Sequence, residues 1–152
     1  MRERRPDVKP RAPQTGVREE VAGILGEVPL ADLDYNSQSF IQLIDKAKDI
    51  GEACAKEVTK TQIMNFMGEV RRLGKEPDVG EVYLLEAYLA YAVGKDKDRK
   101  LQRLKDALDP LFSKVKQESD KERRTKAFAT FVRFIESIVA FYQYNAKKSQ
   151  ES

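Results

Sequence analysis

The chain has 152 residues and balances 28 lysines and arginines against 25 acidic residues, for a formal net charge of +3. It contains no histidine, which excludes Ser-His-Asp triads, histidine acid–base pairs and histidine metal ligands. The one cysteine, Cys54, can form neither an intrachain disulfide nor a thiolate zinc site, and it indicates a reducing, cytoplasmic setting.

Other catalytic signatures are also missing from the sequence. No glycine-rich dinucleotide loop and no Walker lysine loop occurs, so nucleotide sites of those types are not expected. Asp96 and Asp98 lie among cations in KDKDRK, which favours a solvated loop over a metal site. No run approaches the roughly 20 apolar residues that span a bilayer, and residues 1–16 lack the apolar core of a secretory signal. We therefore predict a non-enzymatic protein without cofactor or metal.

The N-terminal region differs in composition from the remainder. Residues 1–16 are rich in proline and arginine and are expected to be disordered. Residues 17–28 place three valines, an isoleucine and a leucine on one helical side, but Gly23 and Gly26 make this helix marginal. We predict a flexible tail over residues 1–36 and a helical bundle domain over residues 37–148.

From residue 37 onwards, apolar side chains recur with helical spacing. Capping boxes are predicted where Thr59 precedes Gln62 and where Asp78 precedes Glu81, and Gly74 is a plausible C-terminal stop. Pro110 is expected to kink or split its helix. The predicted helices cover about 38–56, 60–73, 78–94, 98–117 and 120–146. The predicted fold class is all-α, a compact five-helix bundle with a disordered or partly helical N-terminal tail.

The last predicted helix is the most apolar. Its segment FVRFIESIVAFYQY carries apolar residues over so wide an arc that the helix is either central to the bundle or also faces another protein. We assign Phe134, Phe141 and Tyr142 to a self-association surface and predict a homodimer.

Cations cluster at the predicted helix ends. If the helices at 60–73 and 78–94 pack antiparallel, Lys60 lies near Lys95 at one end of the pair. Such a cluster suits phosphates, which need positive charge without base reading; the alternative is that these cations complement helix dipoles and maintain solubility. The cations of KERRTKAF lie at the start of a predicted helix, where they interact unfavourably with the helix dipole. This placement favours the interpretation that they contact a partner molecule. The candidate RNA-binding residues are Lys56, Lys60, Arg71, Arg72, Lys75, Lys95, Lys97, Arg99, Arg123, Arg124 and Lys126.

Three phrases in fixed order carry a family resemblance. They read T-x-x-Q-I-x-x-F-x-x-E-V-x-R-L from Thr59, LL-x-x-x-LAYA-x-G-K from Leu84, and F-x-x-F-x-E-x-IVA-F from Phe131. Together they span about 59–144, and they resemble the small subunit of type III-A CRISPR effector complexes, the Csm small subunit. The family often has cations after Gln-Ile and before LAYA, where this chain has Met64 and Glu86-Ala87-Tyr88.

The resemblance implies a non-catalytic helical subunit in antiviral defence. Its copies would stack along the guide RNA–target RNA duplex, beside the backbone and large subunits, and would hold target RNA by its phosphates. Because this chain lacks the family's cations at 64 and at 86–88, the expected RNA-binding surface is reduced to Lys60, Arg71, Arg72 and Lys95. The alternative function is a helical protein–protein adaptor or dimerisation module without nucleic-acid binding.

Overall fold

The computed structural model describes the backbone of residues 16–151 and the side chains of residues 16–147. Within that range the chain is all-α and contains no strand, which confirms the predicted fold class. Of residues 1–16, which were predicted to be disordered, residues 1–15 lie outside the described residues. The elements are α1 (Val17–Leu25), a 3-10 helix (Leu30–Asp32), α2 (Gln38–Glu57), α3 (Lys60–Arg72), α4 (Val79–Lys95), α5 (Gln102–Lys116) and α6 (Lys121–Glu151).

The predicted count of five helices is wrong by one, because the marginal N-terminal helix forms as α1. Its Val21 and Leu25 are buried against α5 and α2, and Gly26 ends it with a positive φ of 58°. Glu20 accepts a 3.0 Å hydrogen bond from Lys46 of α2. A nine-residue helix is unstable alone, so tertiary packing supplies the stability that its sequence lacks.

The centre of the molecule is the pairing of α2 with α6. A methyl group at Gly51 would lie 2.7 Å from both the Ile138 carbonyl oxygen and Phe141 Cβ, so only glycine allows this approach of the two helices. α6 also packs on α5 and on the 3-10 helix. Its wide apolar arc therefore reflects a central position, the first of the two interpretations offered by the sequence.

The α3–α4 region confirms the predicted capping boxes. The Gln62 amide donates to Thr59 Oγ1 at 3.1 Å, and the Thr59 amide donates to Gln62 Oε1 at 3.0 Å. Asp78 and Glu81 form the equivalent pair at the start of α4. α3 ends at Arg72, where Gly74 follows with a positive φ of 71°, as its position predicted.

Pro110 does not split α5, which runs without a break from Gln102 to Lys116. A proline at this position removes one backbone hydrogen bond. Leu104, Leu108 and Phe112 of the same helix are fully buried, and Phe112 packs on Phe131 of α6 with ring centroids 4.8 Å apart. Because buried residues lie on both sides of Pro110, packing against the core keeps the two halves of α5 in one continuous helix. Among the described residues, no helix is long and apolar enough to cross a membrane.

Candidate nucleic-acid interface

The ends of four helices meet at one end of the bundle. Gln62, in the first turn of α3, donates from Nε2 to Asp96 Oδ2 at 3.1 Å, just after the end of α4. Arg103, at the start of α5, donates to both carboxylate oxygens of Glu57 at the end of α2, at 3.3 and 3.2 Å. The antiparallel pairing of α3 and α4 therefore places Lys60 and Lys95 at the same end, as predicted.

We call the exposed cations at this end the basic end: Lys56, Lys60, Lys95, Lys97 and Arg99. All five side chains are exposed. Within the described part of the chain, no carboxylate lies within 4.0 Å of any of these five cationic groups. Lys95 Nζ lies 5.3 Å from the ring centroid of Tyr91. Exposed cations without a carboxylate partner can bind an external anion without first breaking an ion pair.

Asp96 organises the loop that carries Lys97 and Arg99. Its carboxylate accepts hydrogen bonds from the backbone amides of Lys100 at 3.0 Å and Asp98 at 3.2 Å. The Lys100 amide is the main reason that the pKa of Asp96 is lowered, with smaller contributions from the Asp98 amide and Gln62. Arg99 adopts a positive φ of 50°, which is uncommon for a residue other than glycine. Asp96 is therefore an anchor of the loop rather than a loosely solvated carboxylate.

A cleft of about 280 Å³ lies between α3 and α4 beside the basic end. Phe66 and Leu101 contribute apolar lining, while Gln62, Asn65 and Lys95 contribute polar lining. Tyr88, half-buried, also lines the cleft. The spacing of residues along α4 did not reveal this position of Tyr88 beside Lys95, because it depends on how α3 packs against α4.

A second group of candidates lies at the other end of α3. Arg71, Arg72 and Lys75 are exposed, and Arg72 forms an ion pair with Glu69 one turn earlier. Lys60 and Arg71 are eleven residues apart, so they project on the same side of α3, with Cα atoms roughly 16 Å apart along its axis. Lys60 and Arg71 therefore define a strip along one side of α3, with Lys95 of α4 beside its Lys60 end and Arg72 about 100° around the helix from Arg71.

Arg123 and Arg124, which we call the arginine pair, differ from the other candidates. The Arg123 guanidinium donates to both oxygens of Asp32 at 3.0 and 3.1 Å and to Glu118 at 3.1 Å. These hydrogen bonds raise the pKa of Arg123, and the same contact with Arg123 lowers the pKa of Asp32. The guanidinium thus ties the 3-10 helix to the start of α6.

Arg124 is buried, with 7% of its surface exposed. It donates to the backbone carbonyl oxygens of Pro77 and Glu118 at 3.1 Å and of Ser119 at 3.4 Å. The expectation that Arg123 and Arg124 face a partner needs correction, because their hydrogen-bond donors are used inside the chain. Lys126, the third candidate in this segment, is exposed.

The residues assigned to self-association are mostly internal. Phe134 is fully buried, and Tyr142 is 4% exposed, with its hydroxyl donating to the Val58 carbonyl oxygen at 2.7 Å. Phe141 is half-buried against Gly51. In this conformation Phe134 and Tyr142 offer no surface to a second copy, because α2 and the other elements around α6 already cover them.

Comparison with known proteins gives one match. A family model described as Csm2 Type III-A matches residues 37–148. The matched stretch contains α2 to α5, most of α6, the basic end and all three phrases of the sequence resemblance. No curated protein and no solved structure matches the chain.

Proposed function

We propose that this chain, which belongs to the Csm2 type III-A family, holds target RNA by its phosphates within the type III-A effector complex. The family is one of structural, non-catalytic subunits that associate with other Csm subunits. In our proposal, copies of the chain lie along the guide RNA–target RNA duplex beside the backbone and large subunits.

The observation that carries the proposal is the set of exposed cations at the basic end, none of which has a carboxylate within 4.0 Å among the described residues. Lys60 and Lys95 are brought to one end of the α3–α4 pair by the hydrogen bond between Gln62 and Asp96. Lysine and arginine neutralise phosphates without reading bases, and counterions released from the RNA supply much of the affinity. Sequence selection is then left to pairing between the guide and the target.

The strip along α3 suits an extended backbone. Lys60 and Arg71 lie on one side of the helix, roughly 16 Å apart along its axis. At a rise of about 3.4 Å per nucleotide, this distance corresponds to about five nucleotides of one strand. The strip can therefore contact several phosphates of one strand, whereas the arginine pair is excluded from the proposed surface.

The test is target-RNA retention by the assembled complex at physiological salt. We expect the double variant Lys60→Glu/Lys95→Glu to weaken retention more than about tenfold, since it both removes and reverses phosphate contacts. The quadruple variant, which adds Arg71→Glu and Arg72→Glu, should abolish it. The matched control is Lys48→Glu/Arg133→Glu, which makes the same charge change at exposed positions of α2 and α6.

Normal retention by the quadruple variant would show that the named surface is wrong. Equal losses in the double variant and its control would show that net charge, rather than position, governs binding. The adaptor alternative, without nucleic-acid binding, is favoured by the exposed apolar residues of α4. It predicts that the charge reversals leave the complex unchanged and that a native pull-down recovers protein partners without guide RNA.

A further inference from the structure

The cleft between α3 and α4, which we call the α3–α4 cleft, presents polar groups that the fold leaves unused. The carboxamide of Asn65 and the hydroxyl of Tyr88 line it, and neither forms a hydrogen bond with another residue in the part of the chain that the structure describes. Gln62, by contrast, uses its carboxamide on the Thr59 amide and on Asp96. The cleft therefore offers a ligand a donor and an acceptor from Asn65 and a hydroxyl from Tyr88.

The rest of the wall is largely apolar and confined in size. Phe66 and Leu101 are buried residues whose outermost atoms reach the cleft. Ala92 follows Tyr88 by one turn of α4, and its small side chain leaves space beside the Tyr88 ring. A volume of about 280 Å³ lies below the range of roughly 300–1,000 Å³ that drug-sized ligands occupy. The cleft thus fits one ring system rather than a larger molecule.

A nucleobase has the chemistry that this lining complements. It is planar, its faces stack on aromatic rings, and its edge carries hydrogen-bond donors and acceptors. Each of the four RNA bases has a donor next to an acceptor on its Watson–Crick edge, which is also the arrangement of a carboxamide. Asn65 can pair with any of them by turning its amide over. The cleft would therefore hold a base without selecting its identity.

Lys95 joins the α3–α4 cleft to the basic end, because its side chain belongs to both. A nucleotide whose phosphate contacts Lys95 has its base within reach of the cleft. Asn65 lies roughly 7.5 Å beyond Lys60 along the axis of α3, which is about two nucleotide steps. The cleft therefore opens beside the surface that we propose for phosphates.

We propose that the α3–α4 cleft binds one unpaired nucleobase of the RNA strand whose phosphate contacts Lys95. Tyr88 stacks on the base, Asn65 pairs with its edge, and the apolar wall excludes water. A single lysine gives too little charge to hold the phosphates of a free nucleotide, so the base comes on a strand that is held elsewhere along its backbone. The inference rests on the proposed function and adds a base contact to it.

This contact has a consequence for the RNA. A base that enters a protein pocket has to leave the stack and its pairing partner. The strand is therefore unpaired at the nucleotide that reaches the α3–α4 cleft. Because Asn65 accepts any base, the position at which the strand opens is set by the place of this chain in the complex and not by the RNA sequence.

The first experiment is photo-cross-linking in the assembled complex. Target RNA in which 4-thiouridine replaces uridine forms covalent bonds, on irradiation, between its bases and the residues that they contact. We expect mass spectrometry with peptide fragmentation to locate the RNA on Tyr88 or Phe66. Tyr83 and Tyr91 are the internal controls, because they are aromatic residues of the same helix, 53% and 67% exposed, that do not line the cleft.

The outcomes separate this inference from phosphate binding. Retained RNA that cross-links only to Tyr83 or Tyr91, or to no residue of the cleft, would overturn the base site and leave the phosphate proposal standing. A cross-link at Tyr88 in a complex whose retention is insensitive to Lys60→Glu/Lys95→Glu would support the base site and contradict the phosphate surface. A complex that retains no target RNA would overturn both.

The second experiment measures RNA affinity of the assembled complex across a salt series. Asn65→Leu removes the hydrogen-bonding edge at an exposed position without changing the size of the side chain much. Base contacts release no counterions, so we expect affinity to fall about fivefold to tenfold at every salt concentration while the slope of log affinity against log salt stays the same. Gln42→Leu, which removes an exposed amide of α2, is the matched control and should change neither quantity.

Substitutions at Tyr88 test stacking. Tyr88→Ala should weaken binding about tenfold, and Tyr88→Phe, which keeps the ring, should restore most of the affinity. Native affinity in Asn65→Leu, or a loss that appears as a changed salt slope, would contradict the base contact. If Asn65→Leu loosens assembly of the complex and leaves RNA affinity unchanged, a side chain of a neighbouring subunit occupies the cleft and the proposal is wrong.

Discussion

The basic end and the arginine pair contain the same kinds of residue at helix ends, yet they differ in what their donors contact. At the basic end, Lys60, Lys95 and Lys97 extend from the surface without a carboxylate partner among the described residues. In the arginine pair, Arg123 contacts two carboxylates and Arg124 contacts three backbone carbonyl oxygens. The sequence made residues of both groups candidates for RNA binding.

The difference teaches that a cation is available to a ligand only if the fold leaves its donors unused. Asp32 reaches Arg123 across 91 residues of sequence, and Pro77 reaches Arg124 across 47. Hydrogen bonds to these partners offset the unfavourable interaction between the arginines and the positive N-terminal end of the α6 dipole. At the basic end, the nearby carboxylates of Glu57 and Asp96 are engaged with Arg103 and with loop amides. The following predictions test this contrast.

The largest expected effect is on stability at Arg124. Arg124→Ala leaves three carbonyl oxygens without their donor, so we expect the free energy of unfolding to fall by about 2–3 kcal/mol. Lys126→Ala, at an exposed position of the same helix, should change it by less than about 0.5 kcal/mol. Urea denaturation measures both. An Arg124→Ala variant with the native midpoint would show that the three contacts carry no stability.

The next effect concerns the salt dependence of RNA binding by the assembled complex. If Lys60 and Lys95 each neutralise a phosphate, each alanine substitution should reduce the slope of log affinity against log salt by about 0.7–0.9. Arg123→Ala should leave the slope unchanged, because the guanidinium of Arg123 is engaged with Asp32 and Glu118. Filter binding across a salt series gives the slopes. A slope that changes for Arg123→Ala but not for Lys60→Ala would reverse the contrast between the two regions.

A smaller effect separates loop geometry from charge. Asp96→Ala removes the acceptor that fixes the amides of Lys100 and Asp98, so Lys97 and Arg99 lose their fixed positions. We expect RNA binding to weaken by a few-fold, although the basic end becomes more positive. Asp98→Ala removes a similar charge without the acceptor and should strengthen binding. If both variants bind more tightly, charge alone matters and the loop anchor does not.

The smallest effect is a pH dependence at Asp32. Arg123 lowers the pKa of Asp32 below its ordinary value of 3.8, so this carboxylate stabilises the fold above that value. The contribution is lost as the pH falls through the lower folded-state pKa. Below about pH 4, the melting temperature of the native chain should therefore fall more steeply than that of Asp32→Asn. Parallel melting curves for the two proteins would indicate that the ion pair has no thermodynamic effect.

Local signals in the sequence were sufficient for most helices. The capping boxes at Thr59 and Asp78 and the stop at Gly74 depend on residues three or four apart, so they could be identified without a tertiary structure. The phrases at 59–73, 84–95 and 131–141 likewise indicated the family that the 37–148 match shows. α1 was predicted only as marginal because its stability comes from contacts with α5 and α2, distant in sequence.

The sequence by itself determined the helical class, the family and the absence of histidine chemistry, because these follow from local periodicity, motif order and residue type. Only the tertiary structure decided which cations and which apolar residues remain exposed. Arg124 became internal because distant carbonyl oxygens accept its hydrogen bonds, and Phe134 became core because α6 is central. Leu84 and Tyr91 remain exposed because, in the part of the chain that the structure describes, no other element covers that side of α4. Availability to a ligand or a second copy depends on long-range packing, which residue spacing along one helix does not specify.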